Sequence, residues 1–148
     1  MDSRDGSSFL IVGSSGQLAR ALQAQYPNAR STSSSELDIT DDEAVARFDW
    51  SGIKVILNAA AYTNVDGAET PEGKMAAWAV NADGVAHLAK AATEHDITLV
   101  HISTEYVFDG TKDVYSEDDA ICPLSEYGKS KAGGDKHAAD APKHYLIR

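Results

Sequence analysis

Ser8-Phe9-Leu10-Ile11-Val12-Gly13-Ser14-Ser15-Gly16-Gln17-Leu18-Ala19 is the stretch on which the fold turns. Its first five residues form a short, nearly continuous apolar run, the pattern of a strand buried on both faces. Gly13 ends the run, and Gln17 to Gln25 reads as a helix with Leu18, Ala21 and Leu22 on one face. Between a buried strand and an amphipathic helix the glycines acquire a physical task. Gly13 allows the tight turn, Gly16 lets a pyrophosphate approach the backbone, and Ala19 is the third small residue where helix meets strand. Amides at the helix N-terminus, helped by its dipole, favour phosphate there. An ordinary turn that uses glycine for a positive φ is the competing reading, and the placement favours the phosphate site.

The same alternation continues along the chain. Residues 28–33 read as a second strand, weakened by the serines from Ser31 to Ser35. Thr40-Asp41-Asp42-Glu43 matches a capping box and predicts a helix from 41 to about 49. Ile53 to Leu57 is the next strand. Thr70-Pro71-Glu72 marks a helix start with proline at its first position, and Met75 through Ala92 carry its apolar face. Ile97 to Ile102 is a further strand, residues 127–139 a helix, and Tyr145-Leu146-Ile147 the start of a last strand. This pattern predicts an α/β chain: a Rossmann-like, doubly wound parallel sheet with helices on both faces and right-handed crossovers. Residues 1–7 are polar and read as a disordered leader or linker, with residues 8–148 as one dinucleotide-binding domain. Ending on a strand-like segment, the chain reads as a domain cut before a C-terminal substrate portion.

Thirteen basic against 23 acidic residues give a net charge of −10, which argues against a nucleic-acid or anionic-membrane partner. A single cysteine, Cys122, excludes an internal disulfide framework. No apolar run approaches the ~18 residues that span a bilayer, and no signal-like segment opens the chain, so a cytoplasmic location is expected. The five histidines show no metal-ligand spacing.

Chemistry is concentrated in Tyr127-Gly128-Lys129-Ser130-Lys131. Tyr127 and Lys131 stand one helical turn apart on one face. A free phenol ionises near ~10, and a nearby ammonium stabilises the phenolate and draws that value toward neutrality. Thr104, at the carboxyl end of a strand with Glu105 beside it, adds a hydroxyl on the same rim, so two donors can meet where negative charge develops on a ketone oxygen. Lys131 has a second task open to it, bonding ribose hydroxyls. Asp38 and Ile39 reach an adenine edge or simply lead into the next helix. Ala59, Ala60 and Ala61 let a flat ring lie against the backbone, followed by Tyr62 and Thr63. Asn81 either orients groups near the site or makes a helix-packing hydrogen bond, the latter being favoured. With no carboxylate clearly placed after the second strand and Arg30 nearby, NADPH is tolerated as well as NADH.

Together these residues resemble the dTDP-4-dehydrorhamnose reductase family of extended short-chain dehydrogenases/reductases. The resemblance runs through Gly16-Gln17-Leu18, Leu37 to Asp41, Asn58 to Glu69, Val80-Asn81-Ala82, Ser103 to Gly110, and Pro123-Leu124 leading into Tyr127 to Lys131. It implies Tyr127 as catalytic acid, Lys131 as its partner and ribose ligand, and Thr104 as the hydroxyl that tunes the proton transfer. It further implies Glu105 beside the substrate, and the dinucleotide held by Gly13, Gly16, Gln17, Leu18, Asp38, Ile39, Ala60, Ala61, Tyr62 and Thr63. The implied reaction is NADPH- or NADH-dependent reduction of the 4-keto group of a nucleotide sugar, dTDP-4-dehydro-L-rhamnose. Magnesium as a helper is also implied by the resemblance, though no residue identifies a metal site, and a homodimer stays open as a partner. A non-catalytic regulatory subunit of the same fold, resembling that of methionine adenosyltransferase, and a sugar-nucleotide epimerase or dehydratase are the alternatives. Departures from the family pattern are Glu105 in place of aspartate, Ala19 in place of a third glycine, and Gly133-Gly134-Asp135, where two glycines are expected to weaken the helix by about 1 kcal/mol each.

Overall fold

The structure is a computed structural model that describes residues 5–148. Five parallel strands form one sheet: β1 (Phe9–Val12), β2 (Arg30–Thr32), β3 (Val55–Asn58), β4 (Thr98–Ile102) and β5 (His144–Ile147), in the order β2-β1-β3-β4-β5. Helices α1 (Gln17–Gln25), α2 (Asp42–Arg47), α3 (Pro71–Trp78), α4 (Gly84–Glu94) and α5 (Glu126–Asp140) make the crossovers. This is the Rossmann-like architecture expected from the alternating pattern. Leu10 and Ile11 are both fully buried although they point to opposite faces of β1, as a parallel strand covered on both sides requires. Leu10, Val12, Ile56 and Leu99 share one core cluster with Val45 of α2, Val85 and Leu88 of α4 and Ala138 of α5.

Register brings the strand ends level. Val12 lies beside Thr32 and Asn58, and Asn58 beside His101. The loops that leave these positions therefore share one rim of the sheet.

Element bounds differ from the sequence reading for local reasons. The helix expected from 71 to 92 is two helices joined by a π-helical turn, Ala79–Asp83. Asn81 in that turn is drawn to the backbone of Tyr62, and such insertions of a residue mark places where a helix serves a site. The cap of α2 is Asp41, not Thr40: its Oδ1 accepts from the Glu43 and Ala44 amides at 2.9 and 3.1 Å. Thr40 instead donates its amide and hydroxyl to Asp38 Oδ1. β3 begins at Val55 because Trp50 to Ile53 closes a turn, with Gly52 at φ 75°. Of the polar leader, residues 1–4 lie outside the described residues. Asp5-Gly6-Ser7 forms a turn in which Gly6, at φ 75°, accepts from the Phe9 amide.

Gly133 and Gly134 have a packing role that helix propensity does not reveal. A Cβ on Gly134 would collide with the Asn81 carbonyl, and one on Gly133 would meet the Trp78 ring at 3.1 Å and the Ala82 Cβ at 3.2 Å. The glycines let α5 lie against the π turn.

Candidate functional site

Sheet order reverses direction between β1 and β3, so the loops after these two strands diverge and leave a crevice at the carboxyl rim. A cavity of about 280 Å³ occupies it. Val12, Gly13 and Ala59 to Ala61 form its floor, Ser15 and Gly16 one wall, Ser34 and Leu37 to Thr40 the other, and Val80 closes one end. Gly13 has φ 88°, and a Cβ there would lie 2.8 Å from Ala60 N and Cα, so only glycine lets the two loops touch through their backbones. Side chains of Asp41, Thr70 and Ser125 cap α2, α3 and α5, whereas α1 begins at Gly16 with no side-chain cap. Its first-turn amides face outward with the positive end of the helix dipole. A narrow backbone cradle that excludes a Cβ, with uncapped amides at its mouth, fits a phosphate-bearing ligand.

The structure brings Gly13, Gly16, Asp38, Ile39, Ala60 and Ala61 together in that cavity. Gln17 and Leu18 sit exposed on the first turn of α1 and do not line it. Thr63 is exposed, and the Tyr62 side chain packs in a separate cluster with Tyr127 and Ala68. Of Asp38's two readings both survive: its side chain organises Thr40 at the approach to α2, and it also lines the cavity.

Asn81 connects the two halves of the site. Its Oδ1 accepts from the Tyr62 amide at 2.9 Å, and its Nδ2 donates to the Tyr62 carbonyl at 3.1 Å and to Ser130 Oγ at 3.0 Å. Ser130 in turn donates to the Tyr127 carbonyl at 2.8 Å. One buried side chain thus fixes the loop after β3 relative to the helix that bears Tyr127. Both sequence readings of Asn81 are met: it makes a helix-packing hydrogen bond to Ser130 of α5 and orients the Tyr62 backbone beside the site. Polar type on an otherwise apolar helix was the only signal available.

Thr104 (8% exposed), Tyr127 (8%) and Lys131 (2%) converge on the rim after β4. Thr104 caps the short 3-10 turn Glu105–Val107, accepting from the Tyr106 amide at 3.2 Å and donating to Glu105 Oε2 at 3.1 Å. Gly128 admits that turn, since a Cβ there would strike the Tyr106 carbonyl. Tyr106 packs edge-on against Tyr127 with ring centroids 5.4 Å apart.

The electrostatics depart from the expected pairing. Burial raises the Tyr127 phenol above its ordinary value, and the neighbouring Thr104 hydroxyl pulls the other way. Lys131 is not the group that sets it. Its ammonium donates to the Ile102 carbonyl at 2.6 Å, and burial lowers it to about 8, opposed by the charge of Asp135. Tyr127 is accordingly held as a neutral phenol, a proton donor rather than a base. The Arg30 guanidinium lies 4.2 Å over the Phe48 ring and donates to the Asp49 carbonyl, outside the cavity. Ser34, Leu37 and Val80 also line the cavity; the sequence assigned them no role, although Leu37 and Val80 lie in stretches that carry the resemblance. Among the described residues no group of three or more His, Cys, Asp or Glu side chains is placed to hold a metal ion, so magnesium gains no support. Among the same residues no helix is long and apolar enough to cross a membrane.

Residues 7–148 match the family model described as the RmlD substrate binding domain. The chain is 44% identical over 148 residues to a dTDP-4-dehydrorhamnose reductase of Aggregatibacter actinomycetemcomitans, covering 95% of this chain and 50% of that protein. It is 41% identical over 147 residues to the reductase of the same name from Mycolicibacterium smegmatis, covering 95% and 44%. A solved dTDP-4-dehydrorhamnose reductase from Clostridium acetobutylicum superposes with a TM-score of 0.87 at 39% identity, over 95% of this chain and 52% of that one. One from Bacillus anthracis, solved in complex with NADP, gives 0.87 at 32% identity, with the same coverage. The chain spans about half the length of the curated relatives it matches.

Proposed function

We propose, for a chain that belongs to the RmlD substrate binding domain family, that residues 8–148 form the dinucleotide-binding part of a reductase acting on a nucleotide sugar, dTDP-4-dehydro-L-rhamnose. The observation that carries this reading is the shared rim. A phosphate-fitting cradle at the β1/β3 reversal and a Thr104–Tyr127–Lys131 constellation after β4 open on the same edge of one sheet.

Gly13, Gly16 and the first-turn amides of α1 would hold the pyrophosphate of NADPH or NADH, with Asp38 and Ile39 toward the adenine and Ala60 and Ala61 beneath the ring. When bound, the dinucleotide supplies the hydride. Tyr127, kept neutral by burial, donates its proton to the ketone oxygen as that oxygen gains charge. Thr104 supports the same oxygen; its single proton is directed at Glu105 Oε2 in this structure, so substrate must compete with Glu105 for it. Lys131 spends one N–H on Ile102 and has two more for ribose hydroxyls. With its ammonium on Ile102, Lys131 acts on the dinucleotide rather than as the group that sets the phenol.

The test is reduction by the full-length protein. NADPH should be consumed only when the dehydrorhamnose nucleotide is present. Tyr127→Phe should lower kcat by at least ~10²-fold, within the usual range for a lost general acid, while leaving the dinucleotide Kd nearly unchanged. Undiminished turnover by Tyr127→Phe would falsify the mechanism.

A further inference from the structure

Behind the Tyr127–Lys131 face runs a buried polar chain that the proposed reduction does not use. The Ala60 amide donates to Asn58 Oδ1 at 3.2 Å, which leaves Asn58 Nδ2 directed at His101 Nδ1, 3.1 Å away. That ring nitrogen must accept, so the neutral imidazole carries its proton on Nε2. Nε2 faces Asp135 Oδ1 at 3.8 Å, and neither of these two buried atoms has a hydrogen-bond partner among the described residues. The other Asp135 oxygen accepts from Arg148 Nε at 3.2 Å and from its terminal nitrogen at 3.1 Å. Asp135 is 4% exposed and follows Lys131 by one helical turn, on the same face of α5. His101 of β4 and Arg148 after β5 therefore face the buried Asp135 carboxylate of α5, and Asn58 of β3 holds His101 from behind. Unpaired polar atoms in a core cost free energy that apolar residues of similar volume would avoid. Their presence next to a buried ammonium gives them a use.

We infer that Asp135 is a positioning residue for the Lys131 cation, clamped on one oxygen by Arg148 and faced on the other by the Nε2–H of His101. Its kinetic consequence rests on the reductase reading; its electrostatics do not. The charged and titratable groups to reckon with are Tyr127 and Asp135 on the same face of α5, His101 on β4, Arg148 on the Asp135 carboxylate, and Glu105 beside Tyr127. Burial pushes His101 down to about 3, so it stays neutral at working pH and turns its Nε2–H toward Asp135 without forming a hydrogen bond. Arg148 offsets part of the Asp135 charge while fixing its orientation. Burial drives Lys131 toward the uncharged amine, and Asp135 is the opposing charge. Without that carboxylate, Lys131 gives up its proton at lower pH, and the cation available to the dinucleotide is lost there.

The experiment uses full-length protein labelled with 13Cε-lysine, in which the Lys131 signal is identified by its disappearance in Lys131→Met. Asp135→Asn should move the Lys131 titration down by about one pH unit and shift the alkaline limb of kcat/KM by the same amount, a tenfold loss at the wild-type midpoint. Asp135→Glu should restore both. An unchanged Lys131 titration in folded Asp135→Asn overturns the inference. Should that variant not fold, His101→Gln decides in its place: a downward shift of roughly half a unit supports the role, and none overturns it. A shifted titration in a protein that reduces no ketone would remove the reductase reading and leave the positioning role standing.

Discussion

At the residue scale, the site is governed by burial more than by the charge pairing that its spacing advertises. Tyr127 and Lys131 do lie on one helical face, yet the ammonium is on the Ile102 carbonyl and the phenol is raised by desolvation. His101 shows the same principle with a consequence for stability. Its folded value of about 3 lies below the ordinary histidine range. Between pH 6.5 and 3 the unfolded chain binds a proton that the folded chain does not, so stability falls as pH falls through that window and is fully present above it. Chemical denaturation from pH 7 to 4 should therefore show a steeper loss for wild type than for His101→Gln. Parallel curves would show that His101 is not buried and neutral as described.

At the element scale, the contacts that matter are backbone approaches made by small residues. Gly134 sits in the middle of α5, where helix propensity predicts that alanine would stabilise by up to ~1 kcal/mol. The structure predicts the opposite sign, because a Cβ would collide with the Asn81 carbonyl. Gly134→Ala should lower stability by about 1–3 kcal/mol, as overpacked cores do, and a thermal melt checks it. The π turn opposite that glycine is equally specific. Asn81→Ala would leave the Tyr62 amide and carbonyl without their partner and sever the link to Ser130, at a cost of about 1–3 kcal/mol per group left unsatisfied. It should raise the KM for dinucleotide as well as lowering the melting temperature, since the loop it holds adjoins Ala60 and Ala61. A melting change with unaltered KM would confine Asn81 to packing.

At the scale of the whole molecule, sheet order places the cavity and sets what it can discriminate. Among the described residues no lysine or arginine lines the cavity. Arg30, the nearest cation in sequence to the end of β2, is occupied by Phe48 and Asp49. The acids in the same region are also engaged: Glu36 accepts from Ser33, and Asp38 from Thr40. A 2′-phosphate thus meets neither a dedicated cation nor an unengaged carboxylate. NADPH and NADH should bind the full-length protein with Kd values within about tenfold of each other, the equivalent of roughly one charge-assisted hydrogen bond. Titrating both by calorimetry checks this, and a hundredfold preference either way would contradict it.

The order of strands and helices, the glycine turn and the Tyr127–Lys131 face were legible in the sequence because each is written within a few neighbouring residues. Apolar runs, helical periodicity and caps are local, and they suffice for a parallel α/β chain. Tertiary structure alone decided which groups meet. Asn81 reaches Tyr62 across 19 positions, Lys131 reaches Ile102 across 29, and Asn58 reaches His101 across 43. No local pattern encodes such pairings, and burial, which sets the charge state of Tyr127, Lys131 and His101, exists only after the sheet has closed around them. The sequence named the chemical groups of this site; packing determined their protonation and their partners.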